Sequence, residues 1–184
     1  MSKLYIIRHG QTDYNIQNRY CGSTDISLNC TGVEQAKELV DVIRDYPIDY
    51  IFSSSMIRAQ QTAEILNQEL CIPCEVIDGI QERNIGVYEG LTREEVKEQH
   101  PECWNGQYTR IFDKAPGGGE TIEQVQNRVY AALESLKSRY EGKNILVVTH
   151  GFVSKVINKY FHEVSESEFF QYSLKNCEIA EFEF

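Results

Sequence analysis

The residue types best suited to chemistry in this sequence are two histidines and two arginines that lie far apart along the chain. Arg8 and His9 are adjacent, Arg58 follows a run of serines, and His150 lies much further along. A guanidinium is permanently charged and grips two oxygens of a phosphate at once. An imidazole acts as a nucleophile or as a proton carrier near neutral pH. Together these side chains predict a site for a phosphate group.

Each of these side chains follows a short apolar run. The runs are residues 4–7, 50–52 and 145–148. Short β-branched runs are typical of strands that are buried on both faces. In an open α/β sheet, ligands bind where the carboxyl ends of parallel strands meet. We therefore expect Arg8, His9, Arg58 and His150 to converge at one edge of a sheet.

A structural role explains each stretch equally well when it is taken alone. Arg8 and His9 can be the solvated end of a core strand. Arg58, near the start of a predicted helix, opposes the helix dipole and can instead pair with Glu64 or Asp49 at the surface. The repetition of the same pattern at several strand ends favours a shared anion site.

Two acids, Glu82 and Glu89, lie in a glycine-rich loop over residues 80–90, next to aromatic and apolar neighbours. A carboxyl group in a partly dry loop can keep its proton near neutral pH and donate it to a leaving group. The alternative is a loop glutamate paired with Arg83. The residues alone leave both interpretations open.

The rest of the chain alternates strands with helices, which predicts a largely parallel sheet with helices on both faces. Thr31 and Glu34 form a capping box that is expected to open the first long helix, and a serine of residues 53–55 is expected to cap the second. Helices are predicted at residues 31–44, 92–100, 121–140 and 152–161. One more helix is predicted after the serine run, with Ala59, Ala63, Ile65 and Leu66 on its apolar face. Further strands are predicted at residues 75–77 and 178–184, the second of them at an edge of the sheet.

The length of 184 residues suits one domain, in which residues 91–120 are expected to form a lid or insert over the site. The net charge of −10 argues against a nucleic-acid or anionic-membrane binder. No apolar run approaches the roughly 20 residues of a membrane span. The chain enters its first strand almost at once, so we expect no signal peptide and a cytoplasmic location. The sequence does not indicate an oligomeric state.

Six cysteines are expected to be reduced thiols in that compartment. Cys71 and Cys74 have the spacing of a thioredoxin-like redox motif, but the pair ends a helical segment and precedes a strand, which is the reverse of the order that this motif requires. The sequence has no second close Cys or His pair for zinc. Cys103 and Arg110 have six residues between them, whereas a cysteine phosphatase has five between its cysteine and arginine, so that class is excluded.

Five motifs together resemble the histidine phosphatase superfamily, the phosphoglycerate-mutase-like family. They are Arg8-His9-Gly10-x-Thr12-x-x-Asn15, Ser53-Ser-Ser-x-x-Arg58-Ala59-x-x-Thr62-Ala63, Glu82-x-x-x-Gly86-x-x-Glu89-Gly90, Gly118-Gly119-Glu120-Thr121 and Val148-Thr149-His150-Gly151. The resemblance spans nearly the whole chain. The resemblance implies a three-layer α/β/α sandwich with a mostly parallel sheet and an antiparallel edge strand. It also implies that the site lies at the carboxyl ends of the strands.

The resemblance also implies roles for individual residues. His9 becomes the phosphorylated nucleophile and Glu82 the proton donor. The phosphate is held by Arg8, Arg58 and His150. Further substrate-binding candidates are Asn15, Cys21, Gly22 and Gly151. His150, if it is cationic, neutralises the developing charge. Neither a metal nor a cofactor is expected.

The short chain is most similar to the small-phosphatase branch, which includes α-ribazole phosphatases and broad-specificity phosphatases. Residues 108–116 offer only Arg110 and Lys114 as cations beside several aromatic side chains. This favours hydrolysis of a small-molecule phosphomonoester with a bulky or apolar leaving group. The alternatives are a cofactor-dependent phosphoglycerate mutase, a non-enzymatic binder of phospho-ligands, and a redox protein.

Overall fold

The computed structural model describes residues 2–184 and contains one five-stranded sheet. The strands are β1 Lys3–Arg8, β2 Tyr50–Ser54, β3 Cys74–Ile77, β4 Ile145–Thr149 and β5 Ile179–Glu183. The helices are α1 Asp13–Ile16, α2 Cys30–Ile43, α3 Ile57–Leu70, α4 Arg93–Gln99, α5 Pro101–Asn105, α6 Ile122–Arg139, α7 Gly151–Phe161 and α8 Glu166–Gln171, and a 3₁₀ turn covers Gly86–Tyr88.

The strand order is β3-β2-β4-β1-β5. The first four of these strands are mutually parallel, and β5 runs antiparallel to β1 at the edge. Arg8 lies opposite Thr149 in the register of β1 and β4. The residues that follow them, His9 and His150, therefore leave the sheet side by side, and the antiparallel edge strand is confirmed.

The alternation of side chains along each strand divides the core into two layers. Leu4 and Ile6 of β1 pack with residues of α6 and α7 on one face. Tyr5 and Ile7 of the same strand pack with residues of α2 and α3 on the other face. Because both faces are covered, residues 4–7 of β1 and 145–148 of β4 are apolar at every position and not at alternate positions. The three-layer α/β/α sandwich predicted from the sequence is confirmed.

Two of the predicted helix caps are wrong. The N-cap of α2 is Asn29, whose side chain accepts the Gly32 amide, so the helix begins before Thr31. The N-cap of α3 is Met56, which makes no side-chain cap. The first amide of α3 is instead satisfied by Asp25 Oδ1, 2.7 Å from the Ile57 nitrogen. The carboxylate of Asp25, from a loop that is distant in the sequence, thus takes the place of the expected serine cap. A cap from a distant residue cannot be recognised from the residues that flank the helix.

A third, smaller cluster lies outside the two layers and supports the loops near the strand ends. Ile85, Tyr88 and Val96 are buried in it, and Tyr20 and Trp104 pack against it. Elsewhere, the structure places Cys71 and Cys74 between the end of α3 and the start of β3, as the sequence predicts. Within residues 2–184, no helix combines the length and the apolarity that crossing a bilayer requires.

Candidate active site

The carboxyl ends of β1 and β4 bring two imidazoles together. The ring centroids of His9 and His150 are 5.2 Å apart, with 58° between the ring planes. His9 is 4% exposed and His150 is fully buried. This is the convergence that the two strand ends predict, so the interpretation of Arg8 and His9 as a solvated strand end does not hold.

The ring of His9 is held in one orientation by its own backbone. Its Nδ1 lies 2.7 Å from the carbonyl oxygen of Gly10, which only accepts hydrogen bonds. Nδ1 therefore carries the proton, and Nε2 is left with a lone pair. Burial, together with the charges of Arg58 and Arg8, lowers the pKa of His9 well below 6.5. A neutral imidazole with a free Nε2 is a competent nucleophile.

His150 is oriented from below by a hydroxyl. Its Nε2 lies 2.8 Å from Ser54 Oγ, which also accepts the Met56 amide at 3.3 Å. Ser54 is fully buried, and His150 Nε2 is the acceptor within reach of its hydroxyl proton, so we assign the Ser54 proton to the bond with Nε2 and the ring proton to Nδ1. Burial, and then the charge of Arg58, lowers the pKa of His150 well below 6.5. The ring is therefore neutral before a ligand binds, so the positive charge on which that role of His150 depends is absent from the free site.

Both arginines are fixed by backbone carbonyls. Arg8 donates to the Leu174 oxygen at 3.0 Å. Arg58 is fully buried and donates to the oxygens of Thr24 and Gly22 at 2.8 and 3.0 Å. The alternative of a surface pair between Arg58 and Glu64 or Asp49 is therefore wrong. Carbonyl partners hold a guanidinium without neutralising it, so its charge stays available.

The buried polar atoms without a partner point to a ligand. Within residues 2–184 they are Arg8 Nε, Arg58 Nε, His150 Nδ1 and the Tyr88 hydroxyl. Buried polar groups are nearly always hydrogen-bonded, so each exception needs a reason. The first three belong to residues clustered around His9. We call Arg8, His9, Arg58 and His150 the phosphate floor, because its unpaired donors suit an anion with several oxygens.

Glu82 lies at the side of the phosphate floor. Its two carboxyl oxygens accept the backbone amides of Arg83 and Phe152, at 2.9 and 3.1 Å. The guanidinium of Arg83 does not pair with it. That guanidinium donates to the carbonyl oxygens of Glu120, Thr109 and Lys114. Glu82 thus stands at the cavity as a positioned acid, and the alternative of an ion pair with Arg83 is not found.

Glu89 has a different surrounding. It accepts the amide and hydroxyl of Ser23 at 2.7 and 2.6 Å and the hydroxyl of Thr24 at 2.6 Å. Burial raises its pKa, but these hydrogen bonds outweigh burial and lower it overall. Glu89 is therefore an ionised brace for the loop whose carbonyls hold Arg58, and not a proton donor. Gly22 has φ 47°, and a Cβ there would collide with the Glu89 carboxylate.

A cavity of about 440 Å³ covers the phosphate floor. The predicted site residues that line it are Arg8, His9, Asn15, Cys21, Gly22, Arg58 and Glu82. His150 lies beneath the cavity and not in its lining. Gly151 does not line it either, but it allows Arg8 to approach, because a Cβ there would lie 3.3 Å from Arg8 Nε. Asn15 uses its Oδ1 to accept the Thr12 amide, which leaves its NH₂ group for a ligand.

The sequence interpretation missed several cations of the lining. Arg19, Arg93 and Lys155 line the cavity together with Arg83 and Arg110. They come from separate elements, so residues 108–116 alone understate the positive charge around the leaving group. The segment 91–120 contributes Arg93, Thr109 and Arg110 to the lining, and its action as a lid remains a prediction. No group of three or more His, Cys, Asp or Glu in residues 2–184 is arranged to hold a metal ion.

Neutral imidazoles, fixed guanidiniums and unpaired donors at the carboxyl edge of a parallel sheet fit an oxyanion that has several oxygens around one centre. The fold and the site together define an α/β protein built to hold a phosphoryl group.

The chain belongs to the histidine phosphatase superfamily, branch 1, whose family model matches residues 4–184. The Bacillus subtilis (strain 168) protein named uncharacterized phosphatase PhoE is 35% identical over 151 residues, which are 82% of this chain and 72% of that protein. A 2,3-bisphosphoglycerate-dependent phosphoglycerate mutase of Cytophaga hutchinsonii is 32% identical over 172 residues, 91% of this chain and 81% of its own. The solved structure of Bacillus stearothermophilus YhfR, 28% identical, superposes with a TM-score of 0.90 and covers 100% of this chain and 91% of that one.

Proposed function

We propose that this protein hydrolyses small-molecule phosphomonoesters through a phosphohistidine formed on His9, without a metal ion. The observation that carries the proposal is the set of unpaired buried donors, Arg8 Nε, Arg58 Nε and His150 Nδ1, around a histidine whose Nε2 is unprotonated. Membership of a phosphatase superfamily supports the same reaction. The substrate is α-ribazole 5′-phosphate or one of a broad range of esters.

In the first step, His9 Nε2 attacks phosphorus in line, and the bond from phosphorus to the ester oxygen breaks. The charge on the three equatorial oxygens is met by Arg8, Arg58 and the Nδ1 proton of His150. Protonated Glu82 gives its proton to the departing oxygen, so the alcohol leaves neutral. The products of this step are phosphohistidine, an alcohol and the Glu82 carboxylate.

In the second step, a water molecule replaces the alcohol. The Glu82 carboxylate takes a proton from that water as its oxygen attacks phosphorus, and the bond between phosphorus and Nε2 breaks. Inorganic phosphate is released, and His9 and Glu82 return to their starting forms. The site supplies nucleophile, charge stabilisation and acid from its own side chains, so activity is expected to survive EDTA.

The test is the variant His9→Ala, assayed with phenyl phosphate and with trapping of a ³²P-labelled, acid-labile enzyme intermediate. We expect turnover to fall by at least ~10³-fold, with no trapped label, because the nucleophile is absent. Vanadate should still bind, since the arginines remain. The exposed His162→Ala variant is the matched control. Normal turnover or normal labelling of His9→Ala would refute the nucleophile assignment.

Phosphoglycerate mutase activity is the second candidate. It is supported by the similarity to the Cytophaga mutase and by the cations of the lining. A mutase must keep its phosphohistidine from water until an acceptor takes the phosphoryl group. Incubation with 3-phosphoglycerate, with and without 2,3-bisphosphoglycerate, separates the two reactions. Hydrolysis releases inorganic phosphate in both cases, whereas a mutase forms 2-phosphoglycerate in a bisphosphoglycerate-dependent way.

A further inference from the structure

Glu82, the proposed proton donor, lies in a segment without regular secondary structure. The segment covers residues 78–85, between β3 and the 3₁₀ turn. A side chain is placed only as precisely as the main chain that carries it, and an irregular loop is less rigid than a helix or a strand. The position of the Glu82 carboxyl group therefore depends on what fixes the main chain of this segment.

Arg128, in the second turn of α6, holds the segment from one side. Its guanidinium donates to the carbonyl oxygen of Gly79 at 2.9 Å and to that of Glu82 at 3.2 Å. The segment packs directly on the helix at this point, because a Cβ on Gly79 would lie only 2.9 Å from the carbonyl oxygen of Arg128. One side chain of a long helix thus fixes the main chain of Glu82 itself and of the residue three positions before it.

Glu120 holds the same segment on the other side of Glu82. Its Oε2 accepts the amide of Asn84 at 2.9 Å, and its own amide donates to the carbonyl oxygen of Asn84 at 2.7 Å. Glu120 stands directly before Thr121, the N-cap of α6, whose capping box closes the start of the helix. Both holding residues are therefore tied to the same helix, one just before it begins and one within it.

The two side chains also bind each other. Arg128 Nε and Nη2 donate to Glu120 Oε1 and Oε2 at 2.8 and 3.0 Å. Only 22% of the arginine side chain and 26% of the glutamate side chain are exposed. Burial raises the pKa of Glu120, but the hydrogen bonds from Arg128 and from the Asn84 amide outweigh burial and lower it, so the carboxylate is ionised. A bidentate pair of opposite charges is rigid and brings no net charge to the loop.

Neither member of this pair lines the cavity above the phosphate floor. Their hydrogen bonds end instead on the main chain of Glu82 and of Asn84, on either side of the proton donor's side chain. We propose that Glu120 and Arg128 are positioning residues, which hold the Glu82 carboxyl group where it can protonate the leaving oxygen. The inference rests on the proposed function and adds two residues to it. They act through Glu82 and do not touch the substrate.

The experiment compares two esters whose leaving groups need a proton to different degrees. Because p-nitrophenolate leaves readily without a proton and phenolate leaves poorly, a misplaced acid slows phenyl phosphate more than p-nitrophenyl phosphate. The constant kcat/KM covers the steps up to departure of the alcohol and phosphorylation of His9. In Arg128→Lys and in Glu120→Gln, we expect the kcat/KM ratio of p-nitrophenyl phosphate to phenyl phosphate to rise by about tenfold. An ammonium cannot reproduce the four bonds of the guanidinium, and an amide removes the charge that binds it.

Glu82→Gln is the reference for complete loss of the acid, and its ratio should rise by about a hundredfold. If the pair acts only through Glu82, adding Arg128→Lys to Glu82→Gln should raise the ratio no further, because residues that act as a unit are not additive. Leu136→Ala is the matched control, since Leu136 is a buried core residue of the same helix. It should lower the melting temperature but leave the ratio unchanged.

An unchanged ratio in Arg128→Lys or in Glu120→Gln, with a raised ratio in Glu82→Gln, overturns the inference and leaves the proposed function intact. A further rise in the double variant, or an equal rise in Leu136→Ala, overturns it as well. An unchanged ratio in Glu82→Gln instead overturns the role of Glu82 in the proposed function, and the inference with it. Should Arg128→Lys fail to fold, the isosteric Glu120→Gln decides alone.

Discussion

The phosphate floor and the outer wall of the cavity are built differently. By the outer wall we mean the residues that line both the cavity and a neighbouring space of about 400 Å³, which are Tyr20, Arg93, Thr109 and Arg110. The floor residues follow buried strand ends or lie in the first turn of α3, and His150 and Arg58 are fully buried. In the outer wall, Arg93 and Arg110 are exposed and come from a short helix and an irregular segment. The floor can hold a phosphoryl group with little adjustment, whereas the wall can accept leaving groups of different shape.

The difference also appears in what holds each cation. Arg58 donates to two carbonyl oxygens of a loop that Glu89 braces in turn. Arg110 rests on the ring of Phe170, a contact that permits sliding and rotation. Substitutions in the floor should therefore be far more damaging than equivalent substitutions in the wall.

The largest effect is expected from exchanging arginine for lysine in both regions. Arg58→Lys keeps the charge, but one ammonium cannot hold two carbonyls and a phosphate oxygen in the geometry of a guanidinium. We expect kcat/KM for phenyl phosphate to fall by about a hundredfold. Arg110→Lys should lower it by less than about threefold. Equal losses in steady-state kinetics would remove the distinction between a fixed floor and an adaptable wall.

A smaller effect is expected inside the floor, from the hydroxyl under His150. Ser54→Ala removes the partner of Nε2, so the ring is no longer held with its Nδ1 proton towards the substrate. We expect kcat to fall by about tenfold, the value of one hydrogen bond of roughly 1.4 kcal/mol. The neighbouring Ser53 is 2% exposed and makes no side-chain hydrogen bond within residues 2–184, so Ser53→Ala is the control. The same loss in both variants would mean that only packing was disturbed.

The buried imidazoles also make the floor sensitive to acid. The pKa of His9 is lowered in the folded state, so below pH 6.5 the unfolded chain binds the proton more readily. The stability linked to His9 is complete above pH 6.5 and is lost as the pH falls. Relative to His9→Asn, the free energy of unfolding should drop by about 1.4 kcal/mol between about pH 7.5 and 5.5. Urea titrations of the unchanged protein and of His9→Asn at both pH values measure this drop. If the difference in free energy of unfolding between the two proteins is the same at both pH values, His9 is not a buried neutral imidazole. His162→Asn controls for replacing a histidine at an exposed position.

The floor could be predicted from the sequence for a physical reason. Strands buried on both faces are apolar without interruption, so Leu4–Ile7 and Ile145–Val148 are visible in the sequence, and the polar residues after them must meet at the sheet edge. The motif resemblance named the same residues. What the strand pattern could not show is the hydrogen bond between Ser54 and His150, because it depends on how far each strand end extends.

The wall could not be predicted in the same way. Arg83 looks like a surface partner for Glu82, yet it is 2% exposed and bound to carbonyl oxygens. Every residue has a backbone carbonyl oxygen, so the sequence does not indicate which of them Arg83 binds. Arg19, Arg93 and Lys155 come from three separate elements, and only the folded chain brings them to one cavity. The expectation of a bulky or apolar leaving group was drawn from residues 108–116 alone, and it remains a prediction.

The attachment of residues 109–120 through Arg83 has a consequence for how this protein can diversify. Arg83 fastens that segment by the oxygens of Thr109, Lys114 and Glu120, and its grip does not depend on which side chains those positions carry. The side chains of this segment that face the cavity can therefore be exchanged while the segment stays anchored beside Glu82, the proposed proton donor. Because the buried guanidinium of Arg83 anchors the segment, its substrate preference can change without any change in the phosphate floor.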